Sequence, residues 1–171
     1  ALPIYDGGFR EMFYQHKFRK EAVMINKTEV LKKFPFPDYI RNCYFPESII
    51  WKAMSAAYPV RFINDEIRIY YVDDGHSLMS AKPRHPKTKA LSNCLESSQV
   101  LNYDFSYFRY APAFFFRMAI VYNCFRPFLN ADQIKWVFLR PAAKTFAWFF
   151  KWPGVLYSRK LIADFNKLNK Q

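Results

Sequence analysis

The sequence predicts an α+β protein that is mostly α-helical. Apolar side chains recur at helical spacing along much of the 171-residue chain, one short segment alternates apolar and polar residues as a strand does, and from about residue 88 onward the periodicity is helical. We expect two parts. Residues 1–82 carry short helices with one or two strands, and residues 83–171 form a basic, aromatic helical region.

Positive charge is concentrated in the second part. Residues 1–80 hold 11 Lys and Arg against 10 Asp and Glu, whereas residues 81–171 hold 15 against 4. Such an excess favours an anionic partner, either nucleic acid or an anionic membrane surface. The three cysteines are widely spaced, with neither metal-ligand spacing nor a disulfide framework, which indicates a reducing compartment.

The first part begins with a turn, two short helical segments and their stop signals. The pair Gly7–Gly8 favours a turn, and apolar residues follow at helical spacing: Phe9, Met12, Phe13 and Tyr14. Asn26, with Glu29 three residues later, predicts an N-capped helix. Pro35 and Pro37 end that helix, because proline lacks the amide hydrogen that a helix needs.

A third helix is predicted directly after Pro46, followed by a strand and a loop. Residues 49, 50, 53, 54 and 57 are apolar and share one helical face, and Pro59 ends the helix. Within residues 60–72, Ile67, Ile69 and Tyr71 alternate with Glu66, Arg68 and Tyr70, which predicts a half-buried strand after the polar break at Asn64–Asp65. Residues 73–90 are rich in Gly, Pro, Ser and Lys and indicate a loop.

Four helical segments are predicted in the second part. They are residues 90–103, 106–125 with Pro112 near its start, 131–152 with a break or kink at Pro141, and 152–170. Their apolar stretches are shorter than the ~20 residues that cross a bilayer. Lys and Arg alternate with Trp and Phe between residues 135 and 152, which is typical of helices lying at a membrane interface. A buried helical bundle whose lysines reach the solvent is the alternative interpretation.

Glu47 is the first candidate for chemistry, because it is an acid at the start of an apolar helix. A carboxylate there is stabilised by the helix dipole, and this structural role alone accounts for many such acids. Its other interpretation is a catalytic base.

The loop after the predicted strand gathers the remaining candidates. His76, Ser77 and Ser80 can donate hydrogen bonds to phosphate oxygens, and Arg68 on the strand can supply positive charge; exposed loop polarity is the alternative. Asp73–Asp74 before Gly75 favours a turn over a metal site. The sequence has no P-loop, no Ser/His/Asp order and no nucleic-acid-binding motif, so we do not expect nucleic acid as a partner.

Taken in order, these segments resemble the C-terminal half of family 2 glycosyltransferases with the GT-A fold. The resemblance rests on "NKTEVLKKFPFPD", "FPESIIWKAMSAAYPVRFINDEIRIYYVDDGHSLMS" and the basic aromatic tail. It covers about residues 10–80 in order and spacing, and the tail in character. It implies that residues 1–82 are the C-terminal portion of a GT-A catalytic domain and that the nucleotide-binding half lies outside this chain.

The resemblance also implies roles for individual residues. Glu47 falls where the family has its catalytic base, with Glu in place of the commoner Asp, and would deprotonate the acceptor hydroxyl in an inverting transfer. Arg68, His76, Ser77 and Ser80 match the segment that folds over the donor pyrophosphate. A divalent metal, Mg or Mn, is implied for the full-length enzyme, with no ligands in this chain. Asp73–Asp74 do not take that role, because the family's metal motif precedes the base.

The implied protein is a peripheral enzyme on the cytoplasmic face of a membrane, using a nucleotide-sugar and a glycan acceptor in polysaccharide or glycan synthesis. This chain alone would be inactive, and it would oligomerise, swap strands or rely on its helices for stability. The competing hypothesis is a non-enzymatic, basic helical module that binds an anionic membrane or a protein partner.

Overall fold

The computed structural model describes residues 5–18, 24–37, 45–63 and 86–168. These residues are mostly helical, with one two-stranded sheet. They divide into two compact units, one containing the described residues up to 37 together with 47–63, and the other containing residues 45–46 and 86–168. The α+β, mostly α prediction is confirmed at this level.

The first unit contains three helices and two short strands. In chain order they are β1 (Tyr5–Gly7), α1 (Phe9–Tyr14), α2 (Thr28–Leu31), α3 (Glu47–Ala57) and β2 (Val60–Phe62). β1 and β2 pair antiparallel with Asp6 opposite Arg61. α1 packs on α3, and the buried apolar side chains are Met12, Tyr14, Ile50 and Met54.

Helices α1 and α3 lie where the spacing of apolar residues predicts them. The N-cap of α2 differs from the prediction. α3 begins at Glu47 and ends two residues before Pro59. The N-cap of α2 is Lys27, in an extended conformation and without a side-chain hydrogen bond, so the prediction of an Asn26 cap is wrong. With a single turn and no buried residue, α2 starts one residue later than the cap pattern indicates.

The second unit is a helical assembly. It contains α4 (Pro86–Tyr103), a 3₁₀ helix (Phe105–Tyr110), α5 (Pro112–Phe125), a second 3₁₀ helix (Arg126–Phe128), α6 (Ala131–Ile134), α7 (Pro141–Phe149) and α8 (Lys151–Leu168). The predicted break at Pro141 is confirmed, because this proline occupies the first turn of α7, where its missing amide hydrogen is tolerated.

α5 is the central helix of this unit and packs against both α4 and α8. Cys94 Sγ lies 3.8 Å from the carbonyl oxygen of Tyr122, and Ser97 Oγ lies 3.9 Å from Met118 Sδ, so α4 and α5 run antiparallel. The fully buried side chains of the core include Cys94, Val100, Phe115, Cys124 and Val137.

Hydrogen bonds fix the extended segment between α6 and α7. The Tyr122 hydroxyl donates to the carbonyl of Val137 at 2.9 Å. Asn102 donates through Nδ2 to the carbonyl of Phe138 at 2.9 Å and accepts through Oδ1 from the amide of Arg140 at 2.8 Å. The start of α7, and with it the direction of the aromatic segment that follows, is therefore set by side chains of α4 and α5.

Candidate functional site

Glu47 is the first residue of α3, and its side chain is exposed. α3 forms here because the buried residues Ile50 and Met54, one turn apart, hold it against α1. Within the described ranges, the Glu47 carboxylate has no hydrogen-bonding or ion-pairing partner. An accessible carboxylate at a helix end that buried side chains hold in place is what a base for an incoming hydroxyl requires.

The opposite side of α3 carries a buried lysine that sequence analysis did not single out. Lys52 is 3% exposed, and its Nζ lies 5.6 Å from the centre of the Phe13 ring and 5.8 Å from that of Tyr14. Its carbonyl oxygen accepts hydrogen bonds from Arg10 Nη1 at 3.1 Å and Ser55 Oγ at 3.2 Å. Because Lys52 is five residues after Glu47, about 140° around the helix, the two side chains point in different directions.

A bidentate ion pair joins the two strands of the sheet on its exposed side. Arg61 donates through Nε and Nη2 to the two carboxylate oxygens of Asp6, both at 2.7 Å. These hydrogen bonds hold the pKa of Asp6 below its ordinary value and raise the pKa of Arg61. The pair therefore fixes the register of β1 and β2 just before residue 63, where the described part of the first unit ends.

The other predicted site residues lie outside the described residues. Arg68, His76, Ser77 and Ser80 belong to residues 64–85, as do Asp73–Asp74 and the predicted strand. Their approach to Glu47 stays a prediction.

No metal centre is found in the described part of the chain. No group of three or more His, Cys, Asp or Glu side chains there is arranged to hold an ion. His16, in the first unit, instead packs edge-on against the Tyr5 ring, with ring centres 4.9 Å apart. The described residues therefore offer no ligand set for the divalent metal that the resemblance implies.

The predicted aromatic and basic segment is partly buried and partly exposed. Phe150 packs inward, with its ring centre 5.2 Å from that of Phe116, and Trp136 is half-buried. Trp148, Phe149 and Trp152 are exposed, as are Lys135, Lys144 and Lys151. Over the ranges described here, no helix has both the length and the apolar character needed to cross a bilayer.

Comparisons of the chain with protein-family models, with curated proteins and with solved structures found no match.

Sequence analysis missed two features of these surfaces. Lys52 stands among apolar residues in the sequence of a helix. That pattern does not show which side chains of other elements cover its ammonium group. Leu156 extends the exposed apolar residues of α8 beyond Trp152. The sequence does carry a signal for this, because residues four apart in a helix lie on the same face.

Proposed function

We propose that this chain is the C-terminal portion of a family 2 glycosyltransferase of the GT-A fold, which transfers a sugar from a nucleotide-sugar to an acceptor hydroxyl with inversion. The observation that carries the proposal is the position of Glu47. It is the exposed first residue of a helix that is anchored by Ile50 and Met54, so its carboxylate is accessible while its backbone is held.

The chemistry needs a single carboxylate on the acceptor side. Glu47 takes the proton of the acceptor hydroxyl as its oxygen attacks the anomeric carbon. The bond from that carbon to the diphosphate breaks, and the nucleoside diphosphate leaves with the bonding electrons. Because attack and departure are on opposite faces of the sugar, the configuration at the anomeric carbon inverts.

The remaining site residues would act on the donor. Arg68, with hydrogen bonds from His76, Ser77 and Ser80, would neutralise charge on the pyrophosphate as it leaves. The Mg or Mn ion of the full-length enzyme would contribute charge neutralisation from ligands outside this chain. Nucleotide-sugar donors and the basic second part of the chain favour a peripheral location on the cytoplasmic side of a membrane.

The class of reaction is tested with the full-length enzyme that the proposal implies. A panel of uridine and guanosine diphosphate sugars is incubated with glycan acceptors, and release of nucleoside diphosphate is measured with Mg²⁺, with Mn²⁺ and with a chelator. We expect acceptor-dependent release from one donor and its loss on chelation. Absence of release from every donor under all of these conditions would contradict the assignment to nucleotide-sugar transfer.

A further inference from the structure

An exposed apolar surface lies where α7 ends and α8 begins. It consists of Trp148, Phe149, Trp152 and Leu156, which we call the α7–α8 surface. Their exposed fractions are 67%, 68%, 74% and 62%. Single exposed apolar residues are ordinary, but four large ones within nine residues of chain are typical of an interaction surface.

The exposure follows from how the two helices are anchored. Ala147 is buried, Phe150 lies with its ring centre 5.3 Å from that of Phe146, and Gly154 meets the backbone of α5. These three residues face inward, so Trp148, Phe149 and Trp152, which lie between them, face outward; Leu156 is exposed one turn further along α8. Trp148 and Phe149 contact each other edge-on, with ring centres 5.3 Å apart. The surface is therefore displayed by helices that are packed against α5.

The chain segment that carries the α7–α8 surface has charge of one sign. Between Asp132 and Asp164 the sequence contains no acidic residue. It contains six basic ones in that interval: Lys135, Arg140, Lys144, Lys151, Arg159 and Lys160. Lys144 is one turn before Trp148, Lys151 directly precedes Trp152, and Arg159 and Lys160 follow Leu156 by about one turn; all four side chains are exposed.

We propose that the α7–α8 surface docks on an anionic lipid bilayer. Trp148, Phe149 and Trp152 enter the boundary between headgroups and acyl chains, where amphipathic aromatic rings are favoured, and the flanking lysines contact lipid phosphates. A second copy of the chain is disfavoured as the occupant, because it would bring an equally positive face against this one. The inference is independent of the transfer reaction, and its test does not use turnover.

Sedimentation with vesicles tests the binding. Vesicles of phosphatidylcholine alone are compared with vesicles that contain about 30% phosphatidylserine and so carry a negative surface charge, as the cytoplasmic leaflet does. Both kinds of vesicle are used at low and at high salt. We expect binding to the anionic vesicles at low salt, and a decrease of about tenfold or more at high salt because the charges are screened. Absence of binding to anionic vesicles at low salt would overturn the proposal.

Two pairs of substitutions separate the aromatic contribution from the charged one. We expect about tenfold weaker binding in each of two double variants: Trp148→Ala with Trp152→Ala, and Lys144→Gln with Lys151→Gln. All four side chains are exposed, so folding is expected to persist. Phe138→Ala and Lys135→Gln are the controls, because Phe138 is exposed elsewhere and Lys135 pairs with Asp132 at 3.2 Å. Equal losses in the controls would contradict a localised surface.

Insertion is measured with lipids brominated along the acyl chains, which quench tryptophan fluorescence at short range. We expect quenching in the wild-type chain and its loss in Trp148→Phe with Trp152→Phe, while vesicle binding is retained within about threefold because phenylalanine also partitions into the interface. Unchanged quenching in that variant would overturn the proposal. So would Trp152-dependent self-association in light scattering without vesicle binding, or tighter binding to a single-stranded oligonucleotide than to vesicles.

Discussion

Gly154 of α8 lies directly against Asn123 of α5. A Cβ at position 154 would clash with the Asn123 Cβ and lie 3.0 Å from the Ile120 carbonyl oxygen and 3.1 Å from the Asn123 carbonyl carbon. Two of those atoms belong to the backbone, which cannot move aside cheaply. The α5–α8 contact at the centre of the second unit therefore depends on the absence of a side chain at this position, and this contact also orients the α7–α8 surface.

Gly154→Ala is expected to destabilise the second unit. Alanine in a helix gains up to about 1 kcal/mol over glycine, but overpacking costs about 1–3 kcal/mol, so we expect a net loss of up to about 2 kcal/mol in the free energy of unfolding. Urea denaturation followed by helical circular dichroism measures it. Gly8→Ala is the comparison, because a Cβ there meets nothing within 4 Å; Gly8 is the N-cap of α1, where alanine is a poorer cap than glycine, so its cost should be about 0.5–1 kcal/mol and confined to the first unit. A stabilised Gly154→Ala would contradict the close approach of α8 to α5.

Substitutions of Lys52 test whether its buried ammonium group or its buried aliphatic chain stabilises the packing of α3 on α1. We expect Lys52→Met to lower the free energy of unfolding by less than Lys52→Glu does, because methionine fills nearly the same volume as the lysine stem. Lys52→Glu places an anion at a 3% exposed position beside the faces of two rings and should cost about 3 kcal/mol or more.

Lys33 provides the matched control for Lys52. Its Nζ lies 5.5 Å from the centre of the Tyr58 ring and 3.0 Å from the Tyr58 hydroxyl, on the surface of the same unit. Lys33→Glu should therefore cost no more than about 1 kcal/mol. A loss from Lys52→Met as large as that from Lys52→Glu would show that the charge itself is required.

The two buried thiols of the second unit predict a loss of stability at alkaline pH. Burial raises the pKa of Cys94 to about 12, with the nearby Cys124 as a smaller cause, and burial raises the pKa of Cys124 to about 11. Both values lie above the ordinary 9.0, so the folded chain binds more protons than the unfolded chain above about pH 9. The thiols therefore contribute fully to the free energy of unfolding below about pH 9, and this contribution falls as the pH rises towards 11–12.

Unfolding midpoints between about pH 7 and 10.5 measure this dependence. The double variant Cys94→Ala with Cys124→Ala retains every other titrating group, including Tyr122, whose pKa is also raised, chiefly by burial. The wild-type midpoint should decline more steeply above pH 9 than that of the double variant. Parallel curves would contradict the burial of the thiols.

Much of the fold could be predicted from local sequence. α1 and α3 follow from apolar spacing, and the start of α7 follows from Pro141, because these elements depend on neighbours within a few residues. The pairing of β1 with β2 could not be predicted. Each strand has three residues, too few for an alternation pattern, and Asp6 and Arg61 are 55 residues apart.

The candidate site was predictable to a smaller extent. Glu47 at the start of an apolar helix is a local feature. The exposure of Trp148 and Trp152 beside the buried Phe150 is not, because it depends on the chain turning between α7 and α8 and on the packing of Phe150 against Phe116 and Phe146. Composition indicated an aromatic, basic segment, and tertiary packing decided which rings face solvent.

Glu47→Gln in the full-length enzyme that we propose is the most direct test of the central claim. The substitution removes the proposed base but keeps the size of the side chain, so sugar transfer should fall by about 100-fold or more, while donor binding measured by calorimetry stays within about twofold. Stability should change by no more than about 1 kcal/mol, the contribution of an acid at a helix start. Glu29→Gln, an exposed first-turn acid of α2, should leave transfer unchanged. Full transfer by Glu47→Gln would rule out Glu47 as the base.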